Sequence, residues 1–392
     1  MIDTLLWIFL LAVTLGVGIY VGYQIRLAYG PKTPARLHRD YLKGLNFLLN
    51  EQPDKAVEIF IKMLQVDKDT VETHVALGNL FRRRGEVDRA LRIHQNLIER
   101  GNLDTEQRVS ALFELGQDYL SAGMFDRAEH QFCEVMTLDD DHVVALQCLL
   151  DIYSQEKNWM NAIAVAKKYE LATGKPMQSV VAHFYCEEAE VLYSKKNTVA
   201  ALEALRQALT FDARCVRASL LEGQYFLAEK DYKAALNSLQ RIQSQDIVFL
   251  AEATEMIVQC YEALQNEKGL LYYLKRTIKK HPQVPFVLVL AHRIQRWRGD
   301  ESAARFVADF VHRYPSFRGL QLLIDLHLPT LEGNAKADLT LMRQLVDVAL
   351  KNKPRYRCGH CGFAGRLLHW QCLGCKRWGT MKPIQGIEVG AG

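Results

Sequence analysis

Along most of the chain a small or apolar residue is followed, twelve positions later, by an alanine or glycine that opens a second apolar run. The pairs are Gly44/Ala56, Gly78/Ala90, Gly116/Ala128, Leu150/Ala162, Ala189/Ala201, Gly223/Ala235, Ile257/Gly269 and Ala291/Ala303. Their first members step by 34, 38, 34, 39, 34, 34 and 34 residues. A unit of that length holds two amphipathic helices and a turn, and small residues at the paired positions let the two backbones approach closely. One such hairpin cannot bury its apolar face alone, so neighbours must stack and share a continuous interior. This also resolves the length. At 392 residues the chain is too long for one ordinary core, because cores stop growing near roughly 250 to 300 residues.

The period and the small-residue pairs resemble the tetratricopeptide repeat. Two segments carry the likeness best: ALGNLFRRRGEVDRALRIHQNLIE from Ala76 and ELGQDYLSAGMFDRAEHQFCEVM from Glu114. In both, a glycine turn (Gly85, Gly123) precedes an acidic residue (Asp88, Asp126) two positions before the alanine. Phe60, Leu64, Leu97, Phe132 and Leu239 are expected to fill the space between neighbouring hairpins. About eight to nine hairpins are expected over residues 40–351, the last of them only weakly patterned. Arrays of this kind wind into a superhelix with a concave binding groove. Asn79, Arg82, Arg83, Gln117 and Asp151 fall where such a groove would be lined; solvated helix residues are the alternative at each. Arg82-Arg83-Arg84 is the basic cluster to test first, since Arg is enriched at binding hot spots.

Thr4 to Tyr23 is an uncharged run of twenty residues. At 1.5 Å per residue a helix of about 20 residues covers a hydrocarbon core of roughly 30 Å. The start, Met1-Ile2-Asp3, lacks the basic residue of a secretory signal, and the Ile19-Tyr20-Val21 run offers no small-residue cleavage site. A transmembrane anchor over residues 1–24 is therefore expected, followed by a basic juxtamembrane linker over 25–39. Arg26, Lys32, Arg36 and Arg39 follow the span while only Asp3 precedes it, which places the bulk of the chain on the cytoplasmic side. Gly18 and Gly22 make a small-xxx-small pair suited to contact with another transmembrane helix; glycines facing lipid are the alternative.

The nine cysteines divide by position. Cys133, Cys148, Cys186, Cys215 and Cys260 are scattered through helical sequence, as small buried hydrophobes are in a reducing compartment. Cys358, Cys361, Cys372 and Cys375 form two C-x2-C knuckles separated by ten residues. Such knuckles converge four thiolates on one tetrahedral ion, iron or zinc. His360 and His369 lie nearby, but four cysteines already complete the shell. Trp370 and Trp378 flank the second knuckle and are expected to pack the ribbon, which has almost no core of its own, against the last helices.

A formal charge of +4 with no clustered basic, aromatic face argues against nucleic-acid binding. No P-loop, G-x-S-x-G, H-E-x-x-H or dinucleotide fingerprint occurs, which argues against an enzyme. The order of anchor, repeats and a terminal ribbon carrying CGF and RWGT resembles the lipopolysaccharide assembly protein B family. The resemblance implies an all-α tetratricopeptide-repeat superhelix with an N-terminal transmembrane helix and a small rubredoxin-like four-Cys metal ribbon over 352–392. It also implies a non-enzymatic adaptor in the bacterial inner membrane, with its N-terminus periplasmic. The partners it implies are the membrane AAA+ protease FtsH, the lipid A committed-step deacetylase whose proteolysis is promoted, an inner-membrane lipopolysaccharide-sensing protein and other lipopolysaccharide assembly proteins. A homodimer is left open. The alternatives are a scaffold that gathers lipopolysaccharide synthesis and export enzymes without proteolysis, and an iron-based electron carrier. One departure stands out: Leu373 occupies a knuckle position where such ribbons usually have proline.

Overall fold

The computed structural model describes residues 16–21, 42–47, 52, 54–56, 58–59, 71–99, 103–351 and 353–384. Most of the expected anchor, Gly22, the linker over 25–39, Phe60 and Leu64 lie outside the described residues. Residues 16–21 are helical, and a Cβ on Gly18 would meet nothing within 4 Å. Among the described residues no helix is long and apolar enough to cross a membrane.

The described residues belong to two compact units, one ending at Leu149 and the other beginning at Leu150. The first contains the hairpins α1 (Val71–Arg83)/α2 (Val87–Glu99) and α3 (Thr105–Ser121)/α4 (Phe125–Leu138), followed by the first half of α5 (Val143–Gln155). The second continues with α6 (Trp159–Thr173), α7 (Gln178–Ser194)/α8 (Thr198–Phe211) and α9 (Val216–Ala228)/α10 (Tyr232–Gln245). A 3-10 turn over Ile247–Ala253 then leads into α11 (Thr254–Ala263)/α12 (Glu267–Lys280), α13 (Val284–Arg298)/α14 (Asp300–Arg313) and α15 (Phe317–His327)/α16 (Gly333–Lys351). The chain ends in a three-stranded antiparallel sheet of β1 (Tyr356–Cys358), β2 (Ala364–Gly365) and β3 (Met381–Pro383), in the order β2-β1-β3.

The twelve-residue register is the packing register. Ala56, Ala90, Ala128, Ala162, Ala201, Ala235 and Ala303 are all fully buried. Their glycine partners are small because the second helix leaves no room: a Cβ on Gly116 would lie 2.7 Å from the Phe132 ring, and one on Gly223 would lie 2.5 Å from Leu239. Phe132 and Leu239 thus fill the contact inside their own hairpins, where the sequence placed them between hairpins.

Each buried alanine also donates its amide to the residue four positions earlier, as Ala162 does to Asn158, Ala201 to Asn197 and Ala235 to Asp231. Those Asn and Asp residues cap the second helix, accepting a backbone amide three residues on, at 3.4, 3.2 and 3.0 Å respectively. In the α11/α12 hairpin the cap is Asn266, and the amide that donates to its carbonyl is that of Leu270. Leu270, not Gly269, therefore holds the alanine slot there: the turn matches that of the preceding hairpin, Asn266 donating to Tyr261 as Asp231 does to Phe226, and the one-residue shift arises before it, in the 35-residue step from Asp231 to Asn266. Gly269 instead donates its amide to the Asn266 side chain at 2.9 Å, and a Cβ would collide with that cap.

Before the caps of α2, α4, α6, α8, α10 and α12 the residue lies in the left-handed region, and at α14 the cap itself, Gly299, does. Glycine serves at Gly85 and Gly123 (φ +81° and +72°), but Lys157, Lys196 and Lys230 adopt φ of 57°, 62° and 63°. That conformation costs a non-glycine residue roughly 1–2 kcal/mol, partly offset by the chain entropy glycine loses on folding. Lys230→Gly is expected to stabilise the protein by about 0.5–1 kcal/mol, read as a rise in the denaturant midpoint at constant slope.

Candidate metal centre and its seat on the repeats

The two knuckles are built alike. In each, an amide after the second cysteine bonds the carbonyl of the first: Gly362 to Cys358 at 3.1 Å and Lys376 to Cys372 at 2.9 Å. Both of these turn residues have positive φ, +77° and 58°. The strands then fix the spacing, with Cys358 paired to Met381 across the sheet and the Cys358 amide bonded to the Phe363 carbonyl at 2.7 Å. As a result the four Sγ atoms all lie within 4.8 Å of one another, with Cys358 and Cys375 at 3.8 Å and Cys361 and Cys372 at 3.6 Å. An ion about 2.3 Å from each of four sulfurs requires a tetrahedron edge of about 3.8 Å, so the cluster fits one zinc or iron ion. The thiolate form is favoured at Cys358, whereas at Cys361 the lowering by the Phe363 backbone is outweighed by burial and the neighbouring thiols, which push it up to about 11. The Thr380 hydroxyl at 3.3 Å and the amides of Cys361 and His360 pull the Cys358 thiol down to about 5, against the opposing effect of burial. His360 and His369 are not part of the cluster, and Leu373 is half exposed at its rim.

The two tryptophans of the ribbon do not pack on the last helices. The ribbon returns to hairpins more than a hundred residues earlier, because its two tryptophans fit an aromatic socket there. Trp378 stacks on His183 (centroids 5.4 Å) and meets Trp159 and Phe184 edge-on at 6.4 and 5.7 Å. The Arg217 guanidinium lies 6.0 Å from the Trp378 ring and pairs with Glu187 and Glu190, both at 2.9 Å. Trp370 stacks on Phe249, carried by the 3-10 turn, at 5.5 Å. Polar contacts finish the seat: the Tyr356 hydroxyl donates to Glu252 at 2.9 Å, and Lys382 pairs with Asp246 at 3.0 Å.

Comparison with known proteins accords with both parts. Residues 356–383 match the family described as rubredoxin metal binding domain, and residues 75–141 and 186–247 match tetratricopeptide repeat. Lipopolysaccharide assembly protein B of Escherichia coli (strain K12) is 40% identical over 97% of this chain and 98% of its own length. The chain belongs to the lipopolysaccharide assembly protein B family. The Haemophilus influenzae protein of the same name is 33% identical over 97% of this chain and 98% of its own length. A solved structure of MamA aligns with 47% of the chain at 17% identity and a TM-score of 0.31, too remote to add to this assignment.

In this member of the lipopolysaccharide assembly protein B family, the expected groove residues take varied positions. On α1, Arg83 is exposed, whereas Arg82 reaches α3 and pairs with Glu114 at 2.6 Å and Asp118 at 2.8 Å. Buried Asp118 also holds His94 Nδ1 at 2.6 Å, so Arg82 clasps two successive hairpins. Asn79 is half-buried, Gln117 donates to the Cys148 sulfur at 3.0 Å, and Asp151 is exposed on α5.

Sequence reasoning missed His183, Arg217, Glu252 and Asp246, the repeat side of the seat. His183 is 5% exposed, and burial, with Arg217 nearby, pushes its pKa down to about 3. Its folded pKa thus lies below the unfolded value near 6.5, so its contribution is full above that value and is lost as pH falls toward 3. Between pH 6.5 and 5.5 the chain is expected to lose about 1 kcal/mol through this residue. His183→Phe should remove that part of the pH dependence, measured by urea unfolding at the two pH values.

Proposed function

We propose that this chain is a non-enzymatic inner-membrane adaptor that limits lipopolysaccharide synthesis by delivering the lipid A committed-step deacetylase to the protease FtsH. The end-to-end match to lipopolysaccharide assembly proteins carries the reading, since it joins the repeats and the ribbon in one order along 97% of the chain. The stacked hairpins suit the task. They present long side-chain surfaces for folded partners. In the first unit Asn79 and Arg83 are the positions we assign to partner contact, on hairpins held by Arg82 and Gln117; in the second unit it is Asp151. The membrane span over 4–23, with Gly18 and Gly22 toward a neighbouring helix such as that of the lipopolysaccharide-sensing protein, concentrates the adaptor beside its membrane-bound partners. Removing residues 1–24 should leave a folded array that regulates poorly.

The metal's part is structural: when bound, the ion supplies the folding free energy of a ribbon too small to fold by burial alone. The test is the half-life of the deacetylase in cells with and without this chain, together with recovery of both protease and deacetylase from solubilised membranes. A shortened half-life supports the adaptor. An unchanged half-life with lipopolysaccharide enzymes still recovered would replace it with the scaffold reading. The four-thiolate site also accommodates iron, which favours testing the electron-carrier reading by metal analysis and visible absorption; zinc alone removes it.

A further inference from the structure

Repeat arrays end in a cap whose outer face is polar, because no further hairpin covers it. The last long helix, α16, breaks this rule. Leu341, Met342, Leu345 and Val348 are 56, 55, 61 and 63% exposed and recur on one face, while Val346, one turn on from Met342, is buried at its edge. The side of α16 turned away from Leu341, Leu345 and Val348 is fastened to α15: Arg343 pairs with Asp325, and Gln321 donates to Asp347 at 2.6 Å. The apolar face is therefore held outward on a fixed helix. It continues into a groove of about 450 Å³ between the two helices, lined by Leu320, Leu323, Leu331, Leu339, Met342 and Leu345. A contiguous exposed apolar surface of this kind marks a contact site.

The geometry points to a second copy of this chain as the occupant, packed antiparallel through α16 to form a four-helix bundle of two α15/α16 pairs. The charge arrangement carries the choice. The stripe from Leu341 to Val348 is centred between Gln344 and Leu345. An antiparallel pair about that centre places Leu341 opposite Val348 of the other copy, and exposed Asp338 opposite its exposed Lys351. Both contacts occur twice across the two-fold axis, as a self-complementary interface requires. A parallel pair would instead set like charges and like helix ends together. The mixed charge of α16 also lacks the Lys and Arg excess of a helix that lies on a membrane surface.

The test uses the full chain in detergent, its mass followed by light scattering against concentration. The wild type is expected to dimerise, and Leu345→Glu to weaken the dimer at least about 30-fold, as loss of a central apolar anchor does. Because Leu345 is largely exposed, helix content should be unchanged, which circular dichroism checks. Asp338→Lys should weaken the dimer about 3-fold, and adding Lys351→Asp should restore it. A photocrosslinker at position 345 should capture a second copy. A monomeric wild type, a dimer indifferent to Leu345→Glu, or capture of lipid or another protein in place of the second copy would overturn the assignment.

Discussion

The double substitution Cys372→Ser, Cys375→Ser is expected to abolish metal binding and unfold residues 356–383 while leaving the repeat helices in place. Two of four ligands go, and Cys372 is fully buried between Cys361 and the β-sheet, so no solvent ligand completes the shell. The free energy at stake is that of structural metal binding, on the order of 10–16 kcal/mol, well above what so small a sheet recovers by burial. Far-ultraviolet circular dichroism should keep most of its helical signal, and purified protein should carry no stoichiometric metal. Complementation of a strain lacking the chain should fail. Retained complementation would show that the ribbon is dispensable for the proposed role.

Trp378→Ala should separate ribbon folding from ribbon seating. Trp378 is not a ligand, so the four sulfurs keep their ion. Its ring contacts Trp159, His183, Phe184 and Arg217, and truncation removes an aromatic from a packed socket at a cost of about 3–5 kcal/mol. The expected result is a metal-loaded ribbon released from the repeats, seen as fast amide exchange along the 3-10 turn over Ile247–Ala253 and in Tyr356. Arg217 keeps its carboxylate partners in this variant, so the α7 and α9 helices should remain protected. Unchanged exchange at the 3-10 turn would mean that the polar contacts of Glu252 and Asp246 hold the seat without the tryptophan.

The repeats were legible because their signal is local. Helix periodicity and a small residue at a fixed offset survive without knowledge of any distant contact, and seven of the alanines so identified are fully buried. The register failed once, at Gly269, where one extra residue ahead of the turn, in the 35-residue step from Asp231 to Asn266, moved the slot to Leu270. The signal that finds it is the capping Asn or Asp four residues before the slot, as at Asn158, Asn197, Asp231 and Asn266. The metal ligands were legible for the same local reason, the spacing within each knuckle. The seat was not. Trp370 and Trp378 announce that something is packed, but their partners lie more than a hundred residues away, on hairpins whose sequence gives no sign of a socket. Arg82 misled in the opposite sense: a charge run reads as a solvated or partner-binding face, and only the position of Asp118 on the next hairpin shows one arginine turned inward.

Delivery of one protein to another can be measured directly, by the initial rate at which purified FtsH degrades the purified deacetylase in one membrane preparation with and without this chain. The account predicts a rate that rises with the chain present in amounts well below the deacetylase, and that returns to baseline with the Cys372→Ser, Cys375→Ser form. A rate that is the same with the chain as without it would contradict the account.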